Sequence, residues 1–204
     1  MTNPYDIRYA GHDYYWGTKP SALCLQVLQL LPPDRPRNLL DVGCGEGRNA
    51  VFFARNGYDV TAFDSSRQGL EKTRQLAERA GVGIEVFQAD VNDYRPAGPL
   101  DVVFSTGVLQ YVPPELREGL LHVYREATRP GGLNAISVFV EKPFIAPAPD
   151  AEPTAHHWIS GELLTHYRDW LVEHFLEEVF DCDSGGVPHQ HAVNRIVARK
   201  VAGA

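Results

Sequence analysis

The chain has 204 residues, of which 44% are hydrophobic and 22% charged, and its 26 acidic against 19 basic side chains give a net charge of −7. This balance argues against strong nucleic-acid binding, and the absence of a signal peptide or of ~18 consecutive apolar residues argues against secretion and membrane insertion. Three scattered cysteines without a CxxC pair argue against a zinc ribbon or a disulfide framework, so we expect a soluble cytoplasmic protein.

Apolar runs alternate with stretches of helical spacing, which predicts an α/β fold with a mainly parallel sheet between helices. The predicted strands are 38–44, 59–63, 84–88, 100–106, 133–140, 174–182 and 190–200. The predicted helices are 21–31, 47–56, 66–80, 114–128 and 160–171, the third with a capping box from Ser65 to Gln68. Four prolines in 142–153 predict a lid-like loop, and the short turn at 183–186 predicts an antiparallel hairpin.

The strongest chemical signal is a glycine turn that follows the first predicted strand. Gly43, Gly45 and Gly47 lie between this strand and a helix, whose N-terminus offers unpaired N–H groups and a partial positive charge. The dinucleotide fingerprint requires a glycine at the position of Arg48. The pattern therefore favours S-adenosylmethionine, which has no phosphate, while an NAD-dependent oxidoreductase remains the alternative enzyme.

Three aspartates stand at or near the ends of predicted strands. Asp64 can accept from ribose hydroxyls, Asp90 from an adenine amino group, and Asp41 is placed to face a positively charged amino group. Carboxyl ends of parallel strands meet at one crevice, where ligands of such sheets bind. Each aspartate alone could equally be a helix cap or a turn residue.

At these residues the chain resembles class I S-adenosylmethionine-dependent methyltransferases, and more narrowly the tellurite-resistance methyltransferase family. The resemblance is carried by LLDVGCGEGRNAVFFARNGYDVTAFDSS, DVVFSTGVLQYV, RPGGLNAISVFV, SGELLTHYRDW and IVARK. It implies a Rossmann-like fold with a seven-stranded, mainly parallel sheet, an antiparallel last strand beside the fifth, helices on both faces, and S-adenosylmethionine as the cofactor.

The resemblance also implies roles for individual residues. Gly43, Gly45 and Arg48 would hold the amino-acid end of the cofactor. The remaining cofactor contacts would come from Asp64 and Ser65, from Asp90 and Val91 at the adenine, from Ser105 and Thr106 at the methionine, and from Tyr15 and Trp16 in an N-terminal flap. The aromatic pair could equally pack on the sheet edge. The final hairpin lacks the basic residues that suit an oxyanion, so tellurite is not expected as the natural acceptor.

Histidines collect where the acceptor is expected. His189 and His191 lie two apart on the last strand and so share a face, and His156 with its neighbour follows the proline-rich loop. They could take a proton, hold an anion or ligate a metal, but no third ligand stands at metal spacing, so no metal site is predicted. Tyr111 could line the acceptor pocket, and Cys182 is expected to be a buried apolar residue.

We therefore expect a single methyltransferase domain over 1–204, with an N-terminal flap and helix in 1–37, a cofactor-binding core in 38–140 and an acceptor side in 141–204. The acceptor would be a small molecule with a thiol, selenium or tellurium nucleophile, because alignment alone can supply effective molarities of ~10⁵ M. An amine or hydroxyl would need one of the histidines as a base. A non-catalytic S-adenosylmethionine-binding regulator is the second alternative, and the oligomeric state stays open.

Overall fold

The computed structural model describes residues 3–149, 152, 154–183 and 186–203. Its strands form one seven-stranded sheet in the order β3-β2-β1-β4-β5-β7-β6. The bounds are β1 Asn38–Val42, β2 Asp59–Asp64, β3 Glu85–Gln88, β4 Leu100–Thr106, β5 Thr128–Val140, β6 Leu171–Cys182 and β7 His189–Arg199. Strands β1 to β5 are parallel, and β7 runs antiparallel between β5 and β6. The predicted fold class is confirmed.

Helices cover both faces of the sheet. They are α1 Pro4–Arg8, α2 Ala22–Leu30, α3 Arg48–Arg55, α4 Arg67–Ala80, α5 Pro114–Ala127 and α6 Glu162–Thr165. One buried cluster joins α2, α3 and α4 to the sheet, and a second joins α5 and α6 to the opposite face. None of the described helices is long and apolar enough to cross a membrane. The cap of α4 is Ser66, whose Oγ accepts from the Gly69 N–H at 3.0 Å, so the predicted cap at Ser65 was wrong by one residue.

The predicted helix over 160–171 is wrong in length. Only α6 forms, and β6 already begins at Leu171. Tyr167 and Trp170 are both buried, and their rings meet edge to face at 5.4 Å. The Tyr167 hydroxyl also accepts from Asn134 Nδ2 at 3.0 Å. Burial of two large aromatic rings against the sheet outweighs the helical spacing of this segment.

The segment after β5 is anchored at the carboxyl end of the sheet. Trp158 is fully buried, and its backbone N–H donates to the Phe139 carbonyl at 2.9 Å. Arg117 lies over the indole at 4.3 Å and donates to Glu162 at 2.9 Å. Of the predicted lid-like loop, 142–149 and 152 contain no helix or strand, while 150, 151 and 153 lie outside the described residues.

The last two strands form the predicted antiparallel hairpin. Their pairing runs from Leu171 opposite Arg199 to Cys182 opposite His189. Ser184 and Gly185 of the predicted turn lie outside the described residues. The antiparallel direction of β7 brings its first residues to the sheet end where β1, β2 and β4 finish.

Candidate functional site

A cavity of about 740 Å³ opens at the carboxyl ends of the parallel strands. It reaches from the glycine turn after β1 to the beginning of β7. The predicted site residues that line it are Trp16, Gly43, Gly45, Arg48, Asp64, Ser65, Asp90, Val91, Thr106, Tyr111 and His191. This position is the crevice where open α/β sheets bind their ligands.

Glycine is required at the turn for steric reasons. Gly43 and Gly45 have φ values of +68° and +56°, which side chains of L residues rarely adopt. A Cβ on Gly43 would lie only 2.3 Å from Val108 Cγ2, and one on Gly45 would lie 3.1 Å from the Tyr9 hydroxyl. The turn residues Gly43, Cys44 and Gly45 line the cavity, and α3 begins directly after the turn.

Asp64 ends β2 and points into the cavity. Its Oδ2 accepts from the Gly45 N–H and its Oδ1 from the Ser66 N–H, both at 2.8 Å. Burial raises the pKa of Asp64, and these two N–H groups act in the opposite direction. A carboxylate has about four lone-pair sites. Both oxygens therefore retain capacity to accept from hydroxyl groups of a ligand.

Asp90 combines a local role with a position on the cavity wall. Its Oδ1 accepts from the Asn92 backbone N–H at 2.8 Å and from Asn92 Nδ2 at 2.9 Å, which is the turn geometry of an Asx motif. Asp90, Val91 and Asn92 all line the cavity. The same turn therefore forms part of the edge of the site.

An N-terminal aromatic cover was missed in the sequence analysis. Helix α1 places Tyr5 and Tyr9 on the cavity, where the Tyr5 hydroxyl meets that of Tyr111 at 2.6 Å. The Tyr9 hydroxyl accepts from Trp16 Nε1 at 3.1 Å. The start signal of α1 was visible, because Asn3 caps it and a proline follows. Five residues are too few for helical periodicity to show.

A buried ion pair holds the flap segment that was predicted around Tyr15 and Trp16. Lys72 Nζ lies 2.8 Å from Glu46 Oε1, with both side chains buried. Lys72 also donates to the Asp13 carbonyl at 2.6 Å, and Glu46 Oε2 accepts from the Trp16 N–H at 3.3 Å. The pair therefore fastens this segment to both α4 and the glycine turn.

Other predicted site residues lie away from the described cavity wall. These are Asp41, Ser105, Tyr15, His156 and His189. Asp41 is 1% exposed and lies on the face of β1 that packs against α2 to α4, because it alternates with residues of the opposite face. The fully buried Ser105 donates to the Val42 carbonyl at 3.3 Å. His156 is exposed, and its neighbour His157 takes the position on the cavity.

We expect Asp41→Asn to stabilise the protein above neutral pH. Burial, and next the charge of Asp64, raise the pKa of Asp41 to about 7. An unfolded aspartate has a pKa near ~3.9, so ionisation of Asp41 opposes folding increasingly as pH rises from ~4 to ~7. The variant should exceed the wild type by about 1–3 kcal/mol in free energy of unfolding at pH ~8, and the two should converge near pH ~4. Urea unfolding across this pH range measures the difference in unfolding free energy between the variant and the wild type. A difference that does not change with pH would contradict the prediction.

The wall around β6 and β7 is aromatic and largely uncharged. It is formed by Phe139, His157, Phe180, Cys182 and His191. Burial lowers the pKa of His157 and raises that of Tyr111, so both side chains are neutral near pH ~7. Cys182 is only half-buried and lines the cavity, so the expectation of a buried apolar cysteine was wrong.

The residues present fit S-adenosylmethionine. The glycine turn offers close approach to backbone, and the Asp64 carboxylate can accept from ribose hydroxyls. Two cationic side chains of the wall are paired with carboxylates, whereas Arg48 uses one of its five N–H donors on a backbone carbonyl. Arg8 pairs with Glu152 at 2.6 Å, Arg195 pairs with Glu178, and Arg48 donates to the Trp16 carbonyl at 3.0 Å. Arg48 can therefore still donate to the carboxylate of a bound amino-acid group.

Comparisons with known proteins agree with this geometry. A family model described as "Tellurite resistance protein TehB" matches residues 12–198. The "Probable S-adenosyl-L-methionine-dependent methyltransferase TehB" of Haemophilus influenzae is 29% identical over 168 residues, which are 81% of this chain and 58% of that protein. A trans-aconitate 2-methyltransferase of Streptomyces coelicolor is 32% identical over 136 residues, covering 65% of this chain and 43% of its own. The chain thus spans about half the length of the curated relatives that it matches.

Solved structures share the fold. The crystal structure of TehB from Haemophilus influenzae has a TM-score of 0.77 at 23% identity and covers 96% of this chain and 65% of that one. The 1,6-didemethyltoxoflavin-N1-methyltransferase of Burkholderia thailandensis, solved with S-adenosylhomocysteine, has a TM-score of 0.65 at 22% identity. The match covers 88% of this chain and 76% of that one.

Proposed function

Because the chain belongs to the TehB family, we propose that it is an S-adenosylmethionine-dependent methyltransferase whose acceptor is a small thiol or a related selenium or tellurium nucleophile. One observation carries the proposal. A single cavity connects the glycine turn and Asp64 with the uncharged wall around His191. Donor and acceptor can therefore meet inside one cavity.

The cofactor supplies an electrophilic methyl group on its sulfonium when bound. The backbone at Gly43 and Gly45, with Arg48, would hold its amino-acid end. Asp64 and Ser65 would hold the ribose, and the turn at Asp90 and Val91 the adenine. Tyr5 and Tyr9 would cover the site together with Trp16. Thr106 receives a hydrogen bond from Asn49 at 3.2 Å and would border the methionine. The work of these residues is alignment and exclusion of water.

The wall around β6 and β7 favours a soft nucleophile as the methyl acceptor. The Glu152 carboxylate, which also lines the cavity, is paired with Arg8. Arg195 is likewise paired with Glu178, so no unpaired cation is described here to attract an oxyanion such as tellurite. A thiolate needs no dedicated base, because it is already ionised when it attacks.

We expect thiols to be methylated at least ~10²-fold faster than amines or alcohols of the same carbon skeleton, which is the low end of what a general base contributes. The measurement uses methyl-labelled S-adenosylmethionine with matched thiol, selenol, amine and alcohol acceptors, and quantifies labelled products. Calorimetry with S-adenosylmethionine and with NADH accompanies it. Preferred methylation of an amine would overturn the acceptor class, and binding of NADH alone would overturn the enzyme class.

Neither alternative is favoured. The dinucleotide-binding turn of an oxidoreductase would have a glycine at position 48, where this chain has Arg48. A non-catalytic binding protein needs no acceptor space, whereas this cavity continues to Phe139 and Phe180 beyond the glycine turn.

A further inference from the structure

The β6–β7 hairpin gathers three metal-ligating side chains on one face. His189 and His191 lie two apart on β7, and Cys182 lies directly opposite His189 on β6. Side chains of residues two apart on a strand, and of directly opposed residues in an antiparallel pair, point the same way. Cys182 Sγ and one ring nitrogen from each histidine all lie within 4.8 Å of one another.

The two imidazoles are already oriented as a metal pair would be. Their Nε2 atoms lie 2.9 Å apart. His189 Nδ1 lies 2.7 Å from the Val187 carbonyl, which can only accept, so Nδ1 carries the proton and Nε2 keeps its lone pair. His191 Nε2 then donates its proton to His189 Nε2, and a metal ion that binds both nitrogens would require this proton to move to His191 Nδ1. A backbone carbonyl on the far nitrogen is the usual partner of a metal-bound histidine. His191 is flanked by Phe139 and Phe180, with ring centroids at 4.7 and 5.7 Å.

The spacing matches a tetrahedral zinc ion after small rotations. Bond lengths of ~2.0–2.1 Å to nitrogen and ~2.3 Å to sulfur place two nitrogens about 3.3 Å apart, and nitrogen and sulfur about 3.6 Å apart. The histidine nitrogens are a few tenths of an ångström closer than this. Two imidazoles and one thiolate form a borderline-soft donor set that suits zinc.

We propose that Cys182, His189 and His191 bind one zinc ion whose fourth position faces the cavity. Cys182 and His191 both line the cavity, so a ligand within it can reach the ion. Three protein ligands and an open position are the arrangement of catalytic rather than structural zinc sites. Zinc makes no change of oxidation state, so it needs no redox partner.

The ion would hold the acceptor, and this role rests on the function proposed above. A thiol that binds zinc loses its S–H proton to solvent, and a sulfur lone pair forms the Zn–S bond. The acceptor is thereby ionised and positioned near neutral pH without a protein base. No metal site was predicted here from the sequence, because Cys182 lies seven residues before His189 and only the hairpin register places them opposite each other.

The test measures metal on the full chain directly. The protein is stripped with a chelator, dialysed against zinc and assayed for bound metal, and cobalt serves as the spectroscopic substitute. We expect one equivalent of zinc and a thiolate-to-cobalt charge-transfer band. Cys182→Ser and His189→Ala should weaken binding at least ~100-fold. Gln190→Ala, between the histidines but exposed, is the matched control and should bind normally.

A second readout follows the acceptor. Addition of a small thiol should shift the cobalt absorption of the wild type, while S-adenosylmethionine affinity in Cys182→Ser should stay unchanged by calorimetry. Absence of bound metal, or unchanged binding in Cys182→Ser, overturns the site without touching the methyltransferase proposal. The role of the ion in holding the acceptor is overturned if the protein binds metal but a thiol does not shift the cobalt absorption, and the metal-free protein methylates thiols at the full rate.

Discussion

Asp64→Asn is expected to weaken S-adenosylmethionine binding by about 10²–10⁴-fold, since hydrogen bonds to a charged group contribute about 1.5–3 kcal/mol each. In the native chain both carboxylate oxygens accept from backbone N–H groups, one from Gly45 and one from Ser66, at 2.8 Å. An asparagine must turn its NH₂ toward one of these donors. The substitution therefore disturbs the glycine turn and removes a ribose acceptor at the same time.

Calorimetry on the folded variant measures this effect. Asp59→Asn is the matched control, because it makes the same chemical change at the exposed first residue of the same strand. The control should bind as the wild type does. Affinity of Asp64→Asn within about threefold of the wild-type value would show that the cofactor does not use this carboxylate.

Lys72→Met is expected to cost about 3–5 kcal/mol of unfolding free energy, because it leaves the Glu46 carboxylate buried without its cation. The Lys72 and Glu46 side chains are only 11% and 2% exposed. The variant also loses the hydrogen bond to the Asp13 carbonyl. We therefore expect faster proteolysis around residues 13–16 and weaker cofactor binding, because Trp16 lines the cavity.

A double-mutant cycle separates the pair from its surroundings. Addition of Glu46→Gln to Lys72→Met should recover most of the lost stability, since no uncompensated charge remains. Glu71→Gln, an exposed neighbour on α4, should change stability by less than ~0.5 kcal/mol. Urea unfolding of the wild type, Lys72→Met, Glu46→Gln, the double variant and the Glu71→Gln control supplies the five values. Strictly additive losses would show that Lys72 and Glu46 do not stabilise each other.

Local sequence patterns were sufficient to predict the layered α/β architecture and the glycine turn at the site. Alternation of apolar strands with capped helices predicted the sheet, and the turn from Gly43 to Gly47 predicted where a ligand approaches the backbone. These signals are local, because helix caps and positive φ angles depend on neighbouring residues. Even the antiparallel hairpin followed from the shortness of its turn.

Which side chains face the cavity depends on contacts between distant parts of the chain. Asp41 and Ser105 stand at strand ends like the lining residues, yet pleating turns both away into buried positions. Helix α6 is shorter than predicted because Tyr167 and Trp170 pack into the core. The hydroxyl groups of Tyr5 and Tyr111 form a hydrogen bond although the residues are 106 positions apart in the sequence. The hairpin register places Cys182 opposite His189. Contacts of this kind depend on pairing and packing between distant segments, which no local pattern of residues records.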